Sequence, residues 1–287
     1  MQTIKIINPA AGKGKAIEEK KDGERCYVTQ SVGDAEKFVY ETCLSEPETH
    51  FIICGGDGTL NEAVNGIMKA NAGDKALLSV MPLGTGNDFL RYEPKTGSPV
   101  KCDVIRYGDR YFVNVLNIGF DCDVVKKVDS YRNNPLISGS FAYICGVAST
   151  FLHKFGCKMT VDTVNADGTE DHFEDEYMLC VVSNAQFYGG GFKPTPLAEL
   201  TDGLADLLIV KKMPRTRFIS IIGSYKKGEH FDHEKGDVLD KYKDIMTYRK
   251  CRSVRISGIK CLCADGEIEN AEETEISVVP AAINVII

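Results

Sequence analysis

Over the first third of the chain, short apolar runs alternate with stretches of helical spacing. Ile4–Ile7, Arg25–Thr29, Phe51–Cys54 and Ala76–Met81 read as strands. In Asp34–Leu44, Ala35, Phe38, Val39 and Cys43 fall on one helical face. After Gly58, Leu60, Ala63, Val64, Ile67 and Met68 do the same. A short polar helix is expected over Lys15–Lys21. Strands that alternate with helices predict a parallel sheet with helices on its faces.

After Arg91 the pattern changes. Tyr92–Val100 holds two prolines and a glycine and reads as a linker. Asp103–Tyr107 and Tyr111–Ile118 flank Gly108-Asp109-Arg110, a hairpin signal. Helices are expected over Asp121–Arg132 and Ser140–Lys154. The second carries Phe141, Ile144, Val147 and Phe151, a stripe suited to a core or to a lipid groove. Strands then dominate: Cys157–Val164 and Tyr177–Ser183 around Asn165–Gly168, then Ala205–Lys211, Ser253–Ile256, Gly258–Ala264 and Glu275–Val279. One helix, Thr216–Lys227, interrupts them, and the charged Lys226–Asp244, with His230 and His233, reads as a solvated connection. The expected fold is α/β: a parallel-sheet domain over residues 1–97, rejoined by an apolar return segment at 281–287, and an antiparallel β-sandwich-like domain over 98–280.

Composition narrows the classes. The chain has 287 residues, 43% hydrophobic, enough for a sizeable core. A net charge of −7 argues against nucleic acid as a partner. Its 11 cysteines are scattered through apolar runs with no C-x-x-C pair, as in reduced cytoplasmic thiols rather than zinc ligands. The amino terminus enters a strand at once, so no signal peptide is expected. No apolar run approaches the ~18 residues of a membrane span.

Two glycine-rich turns carry the candidate chemistry: Gly55-Gly56-Asp57-Gly58-Thr59 and Pro82-Leu83-Gly84-Thr85-Gly86-Asn87-Asp88-Phe89. Each follows an apolar strand. Glycines at such a turn let the backbone approach a phosphate, and a following helix offers free N–H groups. An aspartate in each turn repels phosphate unless a divalent cation lies between them. The pair of turns therefore suggests a kinase that handles its nucleotide through Mg²⁺.

With these turns, Asn8-Pro9-Ala10-Ala11-Gly12-Lys13-Gly14, Asn61-Glu62, Thr201-Asp202-Gly203-Leu204 and Asp265-Gly266-Glu267 occur in order along the chain. Together they resemble the diacylglycerol kinase/sphingosine kinase family, in particular its soluble bacterial lipid kinases. The resemblance spans essentially the whole chain. It implies ATP and Mg²⁺ in a cleft between an α/β domain and a β-sandwich, and a lipid hydroxyl as acceptor. It assigns nucleotide contacts to Asn8, Gly12, Lys13 (or its neighbour Lys15), Gly55, Gly56, Gly58, Thr59, Glu62, Gly84, Thr85 and Asn87, and a nucleotide or metal contact to Glu267. Asp57 and Asp88 would organise Mg²⁺, Asp123 would lie at the nucleotide–lipid junction, and Asp265 would accept the proton of the lipid hydroxyl. Asp202, with main-chain help at Leu204, would hold a structural metal. Each has a plainer alternative: a helix cap at Asp88 or Asp121, a β-turn at Asp202, a hairpin at Asp265.

The expectation is thus a cytoplasmic lipid kinase that meets the membrane surface transiently and peripherally, with a homodimer left open. The lipid stays unassigned among diacylglycerol, phosphatidylglycerol and sphingoid bases. An NAD kinase-like enzyme shares the glycine–aspartate turn, and a non-catalytic lipid-binding regulator could use the same fold. The second glycine turn and Asp265-Gly266-Glu267 speak against the former, and the retained Asp57, Asp88, Asp123 and Asp265 against the latter.

Overall fold

A computed structural model describes residues 1–84, 86–93, 95, 97–119 and 156–287. Strands β1 (Gln2–Ile7), β2 (Cys26–Val28), β3 (Thr49–Gly55) and β4 (Leu77–Pro82) are parallel, in the order β4-β3-β1-β2. Ile4 and Ile6, Phe51 and Ile53, and Leu78 recur at the strand period and turn to one face. There α1 (Asp34–Ser45) supplies Ala35 and Val39, and α2 (Asp57–Lys69) supplies Leu60, Val64 and Ile67. On the other face Ile7 and Cys54 meet Ala16. Ala16 rides on a 3₁₀ segment, Ala11–Glu19, in place of the helix expected over Lys15–Lys21. Gly12 and Gly14, at φ 63° and 91°, break regular helical backbone within the first part of this segment.

The rest of the described chain is antiparallel. β5 (Pro99–Tyr107) turns back as β6 (Arg110–Phe112), so the linker ends earlier than its prolines suggest. β7 (Val115–Gly119), β8 (Cys157–Asn165), β9 (Glu170–Ser183) and β10 (Ala205–Lys211) follow. Helix α3 (Arg215–Lys227) and a small hairpin of β11 (Phe231–Asp232) and β12 (Asp237–Val238) precede β13 (Met246–Ser257). β14 (Cys261–Ala264), β15 (Glu267–Asn270) and β16 (Glu273–Ile286) complete the order. Alternation along β9 buries both faces: Val182 packs with Leu116 and Leu207, while Val181 packs with Leu208 and with Ile221 and Tyr225 of α3. His230 is no part of a solvated connection. It is fully enclosed beside Tyr225 and Phe231, and its Nε2 lies 2.9 Å from the Pro194 carbonyl.

One strand joins the two patterns. β16 pairs antiparallel with β13 and β5, then parallel with β4 through Asn284, Val285 and Ile286. Its register shifts between Val279 and Ile283, where Ala281 adopts φ 50°. Asp103 on β5 anchors this crossing by accepting the Ala281 amide at 2.7 Å. The apolar tail, Ile283 and Val285, then packs in the core of the parallel sheet. The expected helices over Asp121–Arg132 and Ser140–Lys154 lie outside the described residues.

Candidate active site

The two glycine turns lie against each other, backbone to backbone. Gly84 donates its amide to the Gly55 carbonyl at 3.1 Å. A Cβ on Gly84 would stand 2.4 Å from the Gly56 Cα, so no larger residue fits. Neither residue has a positive φ. Close approach, not left-handed backbone, requires glycine at this contact. Among the described residues of the turn Asn87 is the one at positive φ, 50°, and its side-chain amide donates to the Gly84 carbonyl at 2.7 Å.

Helix α2 begins beside this contact. No side chain caps Gly56, and the ladder opens with the Leu60 amide on the Gly56 carbonyl at 3.1 Å. The amides of Asp57, Gly58 and Thr59 precede that ladder and carry the positive end of the helix dipole. Such a helix start favours an anion. Asn8 braces it, donating from Nδ2 to Thr59 Oγ1 at 3.1 Å. Gly12 packs on the second turn, since a Cβ there would meet the Leu83 carbonyl at 3.3 Å. Lys13 lies on the backbone of the Ala11–Glu19 segment.

Asp57 and Asp88 converge over Gly86. A Cβ on Gly86 would stand 2.9 Å from Asp57 Oδ2 and 3.4 Å from Asp88 Oδ2. Asp57 accepts the Asp88 and Phe89 amides at 3.1 and 3.2 Å, which fixes the second turn on the first. Asp88 accepts the Gly190 amide at 2.8 Å and lies 3.3 Å from Arg91 Nε. Burial raises the Asp88 pKa, the Gly190 amide opposes that shift, and the Asp57 charge adds to it. Two acidic groups held this close favour a cation between or beside them. Arg91 Nε, 3.3 Å from Asp88 Oδ1, already supplies one such charge, so a metal ion here would share Asp88 with it.

From the antiparallel region the β14–β15 hairpin enters the same place. Its two-residue loop is Asp265-Gly266, at φ 47° and 94°, the backbone that Asp-Gly favours. Asp265 Oδ2 accepts Asn61 Nδ2 at 3.0 Å and the Val113 amide at 2.9 Å. Its Oδ1 accepts the amides of Asn114 and Val115 at 3.0 and 3.1 Å. These four donors fill a carboxylate's lone-pair positions. Burial nevertheless pushes the Asp265 carboxyl up to about 6. The same capture explains why the strand expected over Tyr111–Ile118 splits into β6 and β7: the amides at the break turn to Asp265. Glu267 faces the start of α2, with Oε1 3.6 Å from the position of a Cβ on Gly58.

The structure thus brings together Asn8, Gly12, Gly55, Gly56, Asp57, Gly58, Thr59, Gly84, Asn87, Asp88, Asp265 and Glu267. Glu62 is drawn elsewhere. Its two oxygens accept the Gly33 and Ala35 amides at 2.9 and 3.0 Å and cap α1, leaving it turned from the nucleotide turns. Asp202 sits in the turn before β10, where it accepts the Leu204 amide at 3.0 Å and pairs with Lys250. Thr85 and Asp123, and the alternative cap Asp121, lie outside the described residues. Asn61 joins the site without a role having been assigned to it, and Gly190 joins it from the run Gly189-Gly190-Gly191-Phe192, which suggests close backbone packing at the cleft. Asn61 is a buried amide on the apolar face of α2, and that misplaced polarity was its signal in the sequence.

A family model described as the diacylglycerol kinase catalytic domain matches residues 2–110. One described as the YegS C-terminal NAD kinase beta sandwich-like domain matches residues 114–287. A diacylglycerol kinase of Staphylococcus carnosus (strain TM300) is 30% identical over 290 residues, which cover 91% of this chain and 87% of that one. Two crystal structures of Bacillus anthracis str. Sterne proteins share the fold, at TM-scores of 0.73 and 0.69 with 22% and 20% identity, each match covering 99% of this chain and 96% of the other. The second of them is described as a diacylglycerol kinase. The chain belongs to the diacylglycerol kinase family and is a lipid kinase.

Proposed function

We propose that the enzyme transfers the γ-phosphoryl group of ATP, with Mg²⁺, to the primary hydroxyl of diacylglycerol. The observation that carries the reading is the meeting of Asp57, Asp88 and the open start of α2 with Asp265 across the junction of the two regions. The glycine turns and the amides of Asp57, Gly58 and Thr59 cradle the phosphates. Asp57 and Asp88 would hold Mg²⁺, which supplies charge neutralisation and alignment of the phosphates when bound. Asp265 takes the proton of the acceptor hydroxyl. Its four lone-pair positions are filled, so the hydroxyl must displace one donor. Asn61 is the side-chain donor of the four, and the one that can swing away without breaking backbone. Asp123 is the alternative acceptor of the proton. Catalysis then rests on positioning and charge stabilisation.

Contact with the membrane is transient and peripheral. Among the described residues no helix is long and apolar enough to cross a bilayer. The test offers labelled ATP together with diacylglycerol, phosphatidylglycerol and a sphingoid base in mixed micelles, and NAD in a parallel reaction. Label is expected in phosphatidic acid, and only with Mg²⁺. Label in another lipid reassigns the acceptor. Label in the dinucleotide alone installs the NAD kinase reading, and no transfer to any acceptor favours a binding regulator.

A further inference from the structure

A cluster of charges lies outside the glycine turns, at the pairing of β10 with β13. Asp206 and Lys250 are direct cross-strand partners. Lys250 Nζ lies 2.5 Å from Asp202 Oδ2, and the other oxygen of Asp202 accepts the Leu204 amide at 3.0 Å. Asp206 is buried and takes the Tyr248 hydroxyl on Oδ1. The carboxylates of Asp202, Asp206 and Glu199 all act on the single Lys250 ammonium.

This turn sits under the strand that joins the two regions. Gly203 donates its amide to Asp103 Oδ2 at 2.7 Å, and Ala281 of β16 donates to the other oxygen at 2.7 Å. Whatever neutralises Asp202 therefore holds the turn that Asp103 ties to the crossing. The family resemblance implies a metal at Asp202, but the residues present do not fit one. Both carboxylate oxygens are already engaged, one by a cation that the chain itself supplies. Among the described residues no three His, Cys, Asp or Glu side chains group to hold a metal.

We propose that the Lys250 ammonium takes the place of a structural divalent cation at the Asp202 turn, so that this chain fixes the turn without a metal. A tethered ammonium costs no binding from solution and cannot be removed by a chelator. Replacing it by a neutral side chain leaves Asp202 and the buried Asp206 without their counter-charge. That vacated place is reachable from solvent, because Glu199, Lys250 and Tyr248 line an open hollow of about 770 Å³. A divalent cation then has the charge and the route to enter.

The test uses the full chain without nucleotide, by thermal melts and calorimetric titration with Mg²⁺ or Ca²⁺, against a chelator. Because the glycine turns have acidic groups of their own, only a response that Asp202→Asn abolishes is assigned to this turn. The wild type is expected to show no such response. Lys250→Met is expected to melt several degrees lower and to regain much of that loss with either cation. The gain should vanish in Lys250→Met combined with Asp202→Asn. Lys250→Arg keeps the charge and should melt near the wild type. An Asp202-dependent cation response in the wild type overturns the proposal, as does a folded Lys250→Met that no cation stabilises. Should Lys250→Met fail to fold, the wild-type titration and Lys250→Arg decide, and an Arg variant as damaged as Met overturns it.

Discussion

At the scale of single residues, the site separates two aspartates by what surrounds them. Asp57 spends its hydrogen bonds on the second glycine turn, beside Asp88. Asp265 spends its own on Asn61 and on the amides between β6 and β7. Asp57→Asn should therefore weaken ATP·Mg²⁺ binding as well as turnover. Asp265→Asn should leave ATP affinity near the wild type and lower kcat by about 10²–10⁴, the usual loss of a general base. The low end is expected, because the hydroxyl is only partly deprotonated in a loose transition state. ATP affinity and kcat of both variants, with folding checked by melts, distinguish the roles. An Asp265→Asn enzyme that loses ATP binding as badly as Asp57→Asn would put Asp265 in the metal network and pass the proton to Asp123.

At the scale of elements, side chains given to chemistry by their motif can belong to structure. Glu62 is the clearest case, because its carboxylate caps α1 through two amides. Glu62→Ala should cost about 1–2 kcal/mol of stability, as lost caps do, with ATP affinity unchanged. Urea unfolding and nucleotide titration of the variant measure both. The motif alone could not separate the roles, since Glu62 follows the glycine turn by one helical turn and only the packing of α1 on α2 shows which way it points. Most of the parallel half was legible: Ile4, Ile6, Phe51 and Ile53 alternate cleanly, and Ala35, Val39, Leu60 and Val64 mark the covering helices. The long antiparallel strands were clipped where bulges reset the alternation. In β13 the buried positions Met246 and Tyr248 face one core and Cys251, Val254 and Ile256 the other, with a second change of parity at the register shift after Cys251. In β16 they change parity between Ile276 and Ile283 for the same reason. Within the site, the glycine turns and Asp265-Gly266 stood out as local signals. Asn61 and Gly190 left only partial signals, a polar residue on an apolar helix face and a run of glycines, because the partners that give them a role lie far along the chain.

A further element, the helix–hairpin unit of α3, β11 and β12, fixes a pH dependence. Burial beside Tyr225 lowers the His230 pKa from 6.5 to about 4. Between these values the unfolded chain binds the proton and the native one does not, so stability contributed by neutral His230 is full above pH ~6.5 and is lost as pH falls toward ~4. The span corresponds to about 3 kcal/mol. His230→Gln removes the titration and keeps a donor for the Pro194 carbonyl. Its stability deficit relative to the wild type should therefore shrink as pH falls from 7 to 4.5 (about the span of the shift). Parallel melting curves across that range would expose a constant deficit, which would show that the ring's packing and not its proton sets the difference.

At the scale of the whole molecule, the two regions share one continuous sheet through β16, and their candidate catalytic groups meet across it. The crossing depends on few groups. Asp103 is buried on β5 and accepts the amides of Gly203 and Ala281, one from the Asp202 turn and one from the bulge of β16. Beyond it, Ile283 and Val285 enter the first core and Ile276 the second, so loosening β16 disturbs both. A chain built this way should unfold in one transition, with far-UV and near-UV signals coincident in urea. Asp103→Ala removes the acceptor of two partly buried amides, at roughly 0.5–1.5 kcal/mol for each hydrogen bond lost. The expected result is a marked fall in the urea midpoint, with the two signals now parting as the parallel sheet and the antiparallel sheets lose their common strand. Its effect on turnover should exceed its effect on ATP affinity, because the glycine turns lie wholly in the first region while Asp265 reaches them from the second. A variant that still unfolds in one transition at the wild-type midpoint would show that β16 pairing alone couples the regions, and that Asp103 is dispensable to the register that carries Asp265 to Asn61.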